Sequence, residues 1–153
     1  MNITHTANSL DKTQTLAKKF AKELTGKSNA IILFYGQMGT GKTTFTHTLL
    51  KTLNPQINPS SPTFSLINQY TDSIYHIDLY RIGENKDTNI ETQIYHLGLE
   101  EILTGDNFVF IEWAEYLPNK LLYLLKESNK NTYKIEIKLL QQENKREIKI
   151  TKN

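Results

Sequence analysis

The sequence of 153 residues predicts one α/β domain, spanning 1–153, in which helices flank a mixed central sheet. Helix-like and strand-like patterns alternate along the chain. Two short runs, 30–35 and 108–113, are almost continuously apolar, as in strands that are buried on both faces. Two hairpin patterns add antiparallel strands. With 38% hydrophobic and 22% charged residues, the chain has the composition of a soluble globular protein with its own core.

The N-terminal part predicts a helix, a buried strand and a second helix. Ser9 is a suitable N-cap for apolar residues that recur at helical spacing, which predicts a helix over 9–25 that Gly26 ends. The run AIILFY, 30–35, is the first buried strand. A second helix follows over about 42–53, and an Asn-Pro pair ends it.

The rest of the chain predicts two hairpins around a second buried strand. The elements, in order, are a hairpin (64–70 and 73–80), a polar and then weakly helical segment (84–105), the buried strand (108–113), a short helix that begins with Pro118, and a terminal hairpin (YKIEIKLL and REIKI).

Composition excludes several classes of function. The chain has no cysteine, which excludes disulfide and thiol chemistry, and its four histidines lie too far apart in sequence to suggest a closed zinc site. The N-terminus does not read as a signal peptide, and no run approaches the ~18 apolar residues of a membrane span. We therefore expect a cytoplasmic protein.

The charge pattern argues against a primary nucleic-acid binder, because the net charge is only +2. Residues 126–153 are more basic, with eight Lys or Arg against four Glu. The simplest interpretation is the solvated face of the terminal hairpin. A weak electrostatic contact with RNA or an acidic partner is the alternative.

The segment GQMGTGKT, 36–43, fits the phosphate-binding pattern G-x-x-x-x-G-K-[ST] and directly follows the first buried strand. Glycines let backbone N–H groups converge on phosphate oxygens, and the following helix presents its N-terminus to the anion. Lys42 supplies a positive charge, and the hydroxyl of Thr43 is placed to bind Mg²⁺. The predicted nucleotide-binding residues of this loop are Gly36, Met38, Gly39, Thr40, Gly41, Lys42, Thr43 and Thr44.

Two acids are candidates for the chemistry beside the phosphates. Glu112 ends the second buried strand, where an acid that holds Mg²⁺ belongs, although a simple strand-end residue is the alternative. Asp78 lies in YHIDLYR, where strand alternation puts His76, Asp78 and Tyr80 on one face. A solvent-facing position is the alternative for Asp78.

Three further residues have both a functional and a plain interpretation. Thr63, in SSPTF, would suit a mobile loop whose hydroxyl senses phosphate and Mg²⁺, or it belongs to an ordinary turn. Trp113 packs in the core or forms a wall of the nucleotide site or a partner contact. Arg81, one of two arginines, forms a surface ion pair or contacts phosphate or a neighbouring acid.

Four motifs in order, GQMGTGKTTF, SPTFSLINQY, HIDLYR and IEWAE, resemble the TsaE (YjeE) family over nearly the whole chain. These are small bacterial P-loop ATPases of tRNA threonylcarbamoyladenosine synthesis. The resemblance implies a P-loop NTPase-like sandwich with a mixed central sheet and flanking helices, ATP and Mg²⁺ as ligands, and slow hydrolysis by the isolated protein. It also implies TsaD-type and TsaB-type partners, whose complex modifies the adenosine beside the anticodon and which the ATPase gates or resets.

The resemblance also implies roles for particular residues. Lys42 and the rest of the loop cradle the phosphates, Thr43 and Glu112 bind Mg²⁺, and Asp78 is a catalytic or water-positioning acid. Thr63 belongs to a switch-like loop. The resemblance also implies that tRNA is reached only through the partners. We expect the isolated protein to be monomeric.

Two details complete the comparison with the family pattern. The family's N-terminal segment reaches the adenine, which points to the neighbourhood of Asp11 and Thr13, and Trp113 lies beside the site. The family loop commonly has Asp-Leu before its second glycine, where this chain has Gln37-Met38.

Two other interpretations stay open: a small-molecule kinase with Asp78 as base, and a nucleotide-gated binding module without meaningful turnover.

Overall fold

The computed structural model of the protein describes residues 1–85, 89–141 and 145–153. The strands are β1 (Asn2–Ala7), β2 (Ala30–Tyr35), β3 (Ile67–Thr71), β4 (Ile74–Asp78), β5 (Phe108–Glu112), β6 (Thr132–Leu139) and β7 (Arg146–Lys152). The helices are α1 (Leu10–Leu24), α2 (Lys42–Leu53), α3 (Tyr80–Glu84), α4 (Ile90–His96), α5 (Leu99–Thr104) and α6 (Asn119–Glu127). A 3₁₀ turn covers Ala114–Tyr116.

The strands form one seven-stranded sheet in the order β1-β7-β6-β2-β5-β4-β3. The four central strands, β6, β2, β5 and β4, run parallel. Antiparallel strands complete both edges, with β3 beside β4 and the pair β7 and β1 beyond β6. The predicted mixed sheet with flanking helices is therefore confirmed.

The buried strand β2 shows why both faces of the sheet need helices. Its side chains alternate between two apolar clusters, with Ile32 and Phe34 in one and Ile31 and Leu33 in the other. Helices α1 and α2 contribute to the first cluster, and α3 to α6 contribute to the second. Each fully buried side chain of this kind contributes about 1.5–3 kcal/mol, so the continuous apolar run is what a strand in the middle layer requires.

The terminal hairpin keeps one face polar. None of the buried residues of the second cluster comes from β6 or β7. On that face Glu136 lies 3.1 Å from the ammonium of Lys134 and opposite Lys149, and Lys138 lies opposite Glu147. Opposite charges at neighbouring positions stabilise a solvated sheet surface. They also offset part of the net positive charge of the C-terminal segment. The structure thus supports the solvated-face interpretation of this segment.

The structure differs from the sequence-based expectation at three places. β1 was not predicted: its polar sequence NITHTA becomes a strand because it pairs antiparallel with β7. The weakly helical segment resolves into the separate helices α4 and α5. β4 ends at Asp78 and Tyr80 starts α3, so Tyr80 does not share a strand face with His76. No helix among the described residues is long and apolar enough to span a membrane.

We expect Gly36→Ala to destabilise the fold more than Gly26→Ala does. Both glycines have positive φ, +144° and +83°, so both alanines are strained by about 1–2 kcal/mol. A Cβ on Gly36 would also overlap the carbonyl oxygen of Ile137 in β6, whereas a Cβ on Gly26 meets no atom within 4 Å. Overpacking adds roughly 1–3 kcal/mol to the first variant alone. Urea unfolding measures the difference, and equal losses would contradict the close approach.

Candidate functional site

The glycine-rich loop 36–41 joins β2 to α2 at the C-terminal end of the parallel strands. Gly39 and Gly41 have φ of +77° and +103°, a left-handed conformation that favours glycine. α2 begins at Lys42 and no side chain caps its N-terminus. The free N–H groups of its first turn therefore face the loop, as in anion-binding sites.

A cavity of about 370 Å³ lies over this loop. It brings together residues from four parts of the chain: the loop and first turn of α2, the segment before β3, the end of β4 with α3, and the end of β5. The lining residues are Met38, Gly39, Gly41, Lys42, Thr43, Thr44, Thr63, Asp78, Tyr80, Glu112 and Trp113. All but Tyr80 are among the site residues predicted from the sequence.

Lys42 is held inside the loop that precedes it. Its Nζ donates hydrogen bonds to the carbonyls of Gly36 and Gln37 at 2.6 and 3.0 Å, and lies 3.7 Å from the ring centre of Trp113. Burial lowers the pKa of Lys42 from its ordinary value of 10.5, and nearby carboxylates, led by Glu112, oppose this effect. These contacts hold the ammonium group of Lys42 between the glycine-rich loop and the ring of Trp113.

Asp78 and Glu112 are neighbours because their strands are parallel and in register. Asp78 of β4 lies opposite Glu112 of β5, and both strands end at these residues. Their exposed fractions are only 3% and 1%. Asp78 therefore does not lie on a solvent-facing strand surface, and both acids reach the floor of the cavity.

Each oxygen of the Glu112 carboxylate has a hydrogen-bond partner. The hydroxyl of Thr43 donates to Oε2 at 2.7 Å, and Nε2 of His76 lies 2.8 Å from Oε1. A threonine hydroxyl and a carboxylate are the hard oxygen donors that Mg²⁺ prefers. No cluster of three or more His, Cys, Asp or Glu side chains suited to a metal is found in the described ranges. This donor set fits an ion that keeps most of its ligands as water and phosphate.

Asp78 is tied to the loop that carries Thr63. The Thr63 hydroxyl donates to Oδ2 of Asp78 at 2.8 Å, and the backbone N–H of Tyr80 donates to Oδ1 at 2.9 Å. The hydroxyls of Thr63 and Ser61 lie 2.8 Å apart. The predicted loop residue and the predicted acid are thus in direct contact.

Trp113 combines the two roles that the sequence left open. Its backbone is left-handed, with φ of +59°, directly after β5. The ring packs against the second core cluster, lines the cavity and lies 4.8 Å, centre to centre, from the ring of Tyr80.

Five predicted residues do not line the cavity: Gly36 and Thr40, which belong to the loop beneath it, and three that lie elsewhere in the chain. Asp11 is in the exposed first turn of α1, and the hydroxyl of Thr13 donates to the carbonyl of Ser9 at 3.2 Å. Arg81 is exposed; it donates to the carbonyl of Phe64 at 3.3 Å. None of the three lines the cavity, so the structure associates neither the predicted adenine contacts nor Arg81 with the loop.

Two residues of the loop serve its internal structure. Gly36 supplies a carbonyl to Lys42, and the hydroxyl of Thr40 donates to the carbonyl of Gln37 at 2.9 Å. Arg146 of β7, which sequence reasoning missed, donates from Nε to the carbonyl of Thr40 at 2.9 Å. No local signal could have revealed this contact, since the two residues are 106 positions apart.

The fold and the site define a P-loop NTPase-like α/β protein: parallel central strands, a phosphate loop leading into a helix, and acids at the neighbouring strand ends. The crystal structure of YdiB from Bacillus subtilis has the same fold, with a TM-score of 0.68 and 24% identity. That similarity covers 99% of this chain and 86% of YdiB.

Sequence comparison identifies the family. The sequence model of the TsaE family, described as threonylcarbamoyl adenosine biosynthesis protein TsaE, matches residues 7–148. The Rickettsia prowazekii protein named tRNA threonylcarbamoyladenosine biosynthesis protein TsaE is 40% identical to this chain over 129 residues. The match covers 82% of this chain and 83% of the Rickettsia protein. In Bacillus subtilis strain 168 the identity is 31% over 114 residues, covering 72% and 66%. The chain belongs to the TsaE family, as its four motifs suggested, and the family acts in tRNA threonylcarbamoyladenosine biosynthesis.

We expect Arg146→Ala to loosen the phosphate loop. A hydrogen bond from a charged donor contributes about 1.5–3 kcal/mol, so opening of the loop becomes roughly ten-fold or more frequent without it. Hydrogen exchange of a peptide covering 36–41 should accelerate accordingly. Lys149→Ala, on the same strand but directed to the polar face, is the matched control. Unchanged exchange in the Arg146 variant would show that the contact does not restrain the loop.

Proposed function

We propose that the protein binds ATP with Mg²⁺ in this cavity, hydrolyses it slowly, and thereby gates or resets a complex of TsaD-type and TsaB-type partners in tRNA threonylcarbamoyladenosine formation. The observation that carries the proposal is the contact between Thr43 and Glu112 at the foot of the phosphate loop, with Asp78 beside it. Membership of the TsaE family supplies the biosynthetic context.

The loop and Lys42 account for phosphate binding. The N–H groups of the loop and of the first turn of α2 attract an anion, and Lys42 adds a full positive charge. Because its ammonium is already buried against Trp113, little further desolvation is needed when it exchanges carbonyl partners for phosphate oxygens. The cavity volume of about 370 Å³ lies within the ordinary range of small-molecule sites.

Thr43 and Glu112 would hold Mg²⁺, and the ion would neutralise charge on the phosphates. The two side chains already touch, so they need no large rearrangement to serve one ion.

Asp78 is the group suited to orient an attacking water. It is buried at the cavity floor, accepts hydrogen bonds from Thr63 and from a backbone N–H, and so has a defined orientation. Through Thr63, a change at Asp78 reaches the loop that precedes β3. A loop coupled in this way is suited to report the nucleotide state to a partner.

Charge distribution favours an indirect contact with tRNA. The net charge is +2, and three lysines of the terminal hairpin, Lys134, Lys138 and Lys149, lie beside or opposite glutamates. Phosphate-backbone binding needs a basic patch, so the partners are the better candidates for holding the tRNA. We propose a monomeric protein that works with them in the cytoplasm, where tRNA is modified.

The kinase alternative finds no support in the cavity. A kinase acting on a second substrate commonly uses arginines to bind it or to stabilise the transferred phosphate. The chain has two arginines, and neither lines the cavity: Arg81 contacts Phe64, and Arg146 contacts Thr40.

ATP turnover by the purified protein, alone and then with the two partner types and tRNA, tests the proposal. We expect slow hydrolysis alone, a higher rate with the partners, and modified tRNA only in the complete mixture. An ATP turnover rate that the partners leave unchanged, but that a small hydroxylated metabolite increases, would favour the kinase interpretation if that metabolite also becomes phosphorylated.

Substitutions separate binding from hydrolysis. We expect Lys42→Ala to abolish ATP binding, and Glu112→Gln and Asp78→Asn to keep the fold but lower hydrolysis by about 100-fold or more. Glu115→Gln, an exposed acid three positions after Glu112, is the matched control. Calorimetric ATP binding and phosphate release provide the measurements. Full activity in either acid variant would remove that residue from the site.

A further inference from the structure

The imidazole of His76 is a buried polar group that the proposed chemistry does not use. Its exposed fraction is 0%, and it lies on β4 two positions before Asp78. Its Nε2 lies 2.8 Å from Oε1 of Glu112. A buried histidine in an otherwise apolar layer costs free energy unless its nitrogens find partners, so this contact is the reason the ring can lie there.

The direction of this hydrogen bond follows from the ionised carboxylate that Glu112 must carry to bind a cation. Oε2 of Glu112 already accepts from Thr43, and carboxylate oxygens act only as acceptors. Nε2 of His76 must therefore carry the proton and donate. Nδ1 is buried and has no hydrogen-bond partner among the described residues.

The ring of His76 also packs against a second imidazole. The ring of His47, on α2, meets the ring of His76 edge to face at 5.9 Å. Burial, followed by the neighbouring His76, lowers the pKa of His47 from its ordinary value. The two imidazoles thus pack between α2 and β4, beside the carboxylate that His76 contacts.

We propose that His76 is a positioning residue whose Nε2–H holds the carboxylate of Glu112 in the orientation in which Thr43 and Glu112 bind a divalent cation. The inference rests on the Mg²⁺ part of the proposed function.

Two donors on two different oxygens explain why one would not suffice. Thr43 comes from α2 and His76 from β4, so together they fix the plane of the carboxylate on β5. Without His76, Oε1 is buried and unpaired, and the carboxylate is free to turn about its last side-chain bond. Such outer partners of metal ligands commonly contribute 10- to 100-fold in metal affinity.

Three variants test the role. His76→Leu removes the donor while filling similar space, His76→Gln restores an N–H at similar reach, and Phe110→Leu perturbs the core at the residue opposite His76 in β5. For each, ATP affinity is measured in EDTA and over a Mg²⁺ titration, without reference to turnover. We expect His76→Leu to raise the Mg²⁺ concentration at which ATP affinity reaches half of its Mg²⁺-dependent increase by roughly 10- to 100-fold. The ATP affinity measured in EDTA should be unchanged. His76→Gln should recover most of this loss, and Phe110→Leu should show none.

The outcomes distinguish this inference from the proposed function. A wild-type Mg²⁺ requirement in His76→Leu, or an equal defect in the leucine and glutamine variants, overturns the positioning role alone. ATP binding by the wild-type protein that is indifferent to Mg²⁺ overturns both. If His76→Leu does not fold, the ¹⁵N spectrum of the histidine-labelled wild-type protein decides: we expect a proton on Nε2 of His76. The opposite tautomer would overturn the inference.

Discussion

The carboxylate of Glu112 is the group on which the geometry of the site depends. It is 1% exposed, and a buried carboxylate is tolerated only where hydrogen bonds replace its lost hydration. Its donors come from different elements, Thr43 at the start of α2 and His76 in β4. α2, β4 and β5 must therefore hold one relative position for this charge to be satisfied, and that position also brings Asp78 beside Glu112.

The phosphate loop is supported by a part of the chain that contributes nothing to the cavity. Gly36 passes so close to β6 that a side chain would overlap the carbonyl of Ile137, and Arg146 of β7 holds the carbonyl of Thr40. The terminal hairpin thus acts as a platform for the loop. Its outer face is polar and charge-balanced, which suits a supporting element better than a nucleic-acid surface.

On the other side of the site, hydrogen bonds with two side chains hold the loop that precedes β3. Thr63 bonds to Asp78, and Arg81 bonds to the backbone of Phe64, whose ring is 85% exposed beside it. Loops held by a few polar contacts open more easily than packed strands do. This lightly held segment contrasts with the glycine-rich loop, which Lys42 and Arg146 hold by hydrogen bonds to its carbonyls.

Much of this protein was determined by its sequence alone. The apolar run of β2 required helices on both faces, the glycine pattern predicted the loop between β2 and α2, and the order of the four motifs identified the TsaE family. Most elements from α1 to the terminal hairpin were predicted, but β1, α3 and the division between α4 and α5 were not. These features are local, because periodicity and turn chemistry act over a few residues.

Only the tertiary structure decided which distant residues meet. Asp78 and Glu112 were candidates, but their adjacency depends on strand order and register, which no local pattern encodes. The contacts of His76 with Glu112 and of Arg146 with Thr40 were hidden for the same reason, and NITHTA became a strand only because β7 offered an edge. Hydrogen-bond partners far apart in the chain are selected by the packing of the whole sheet, and packing exists only once the chain has folded.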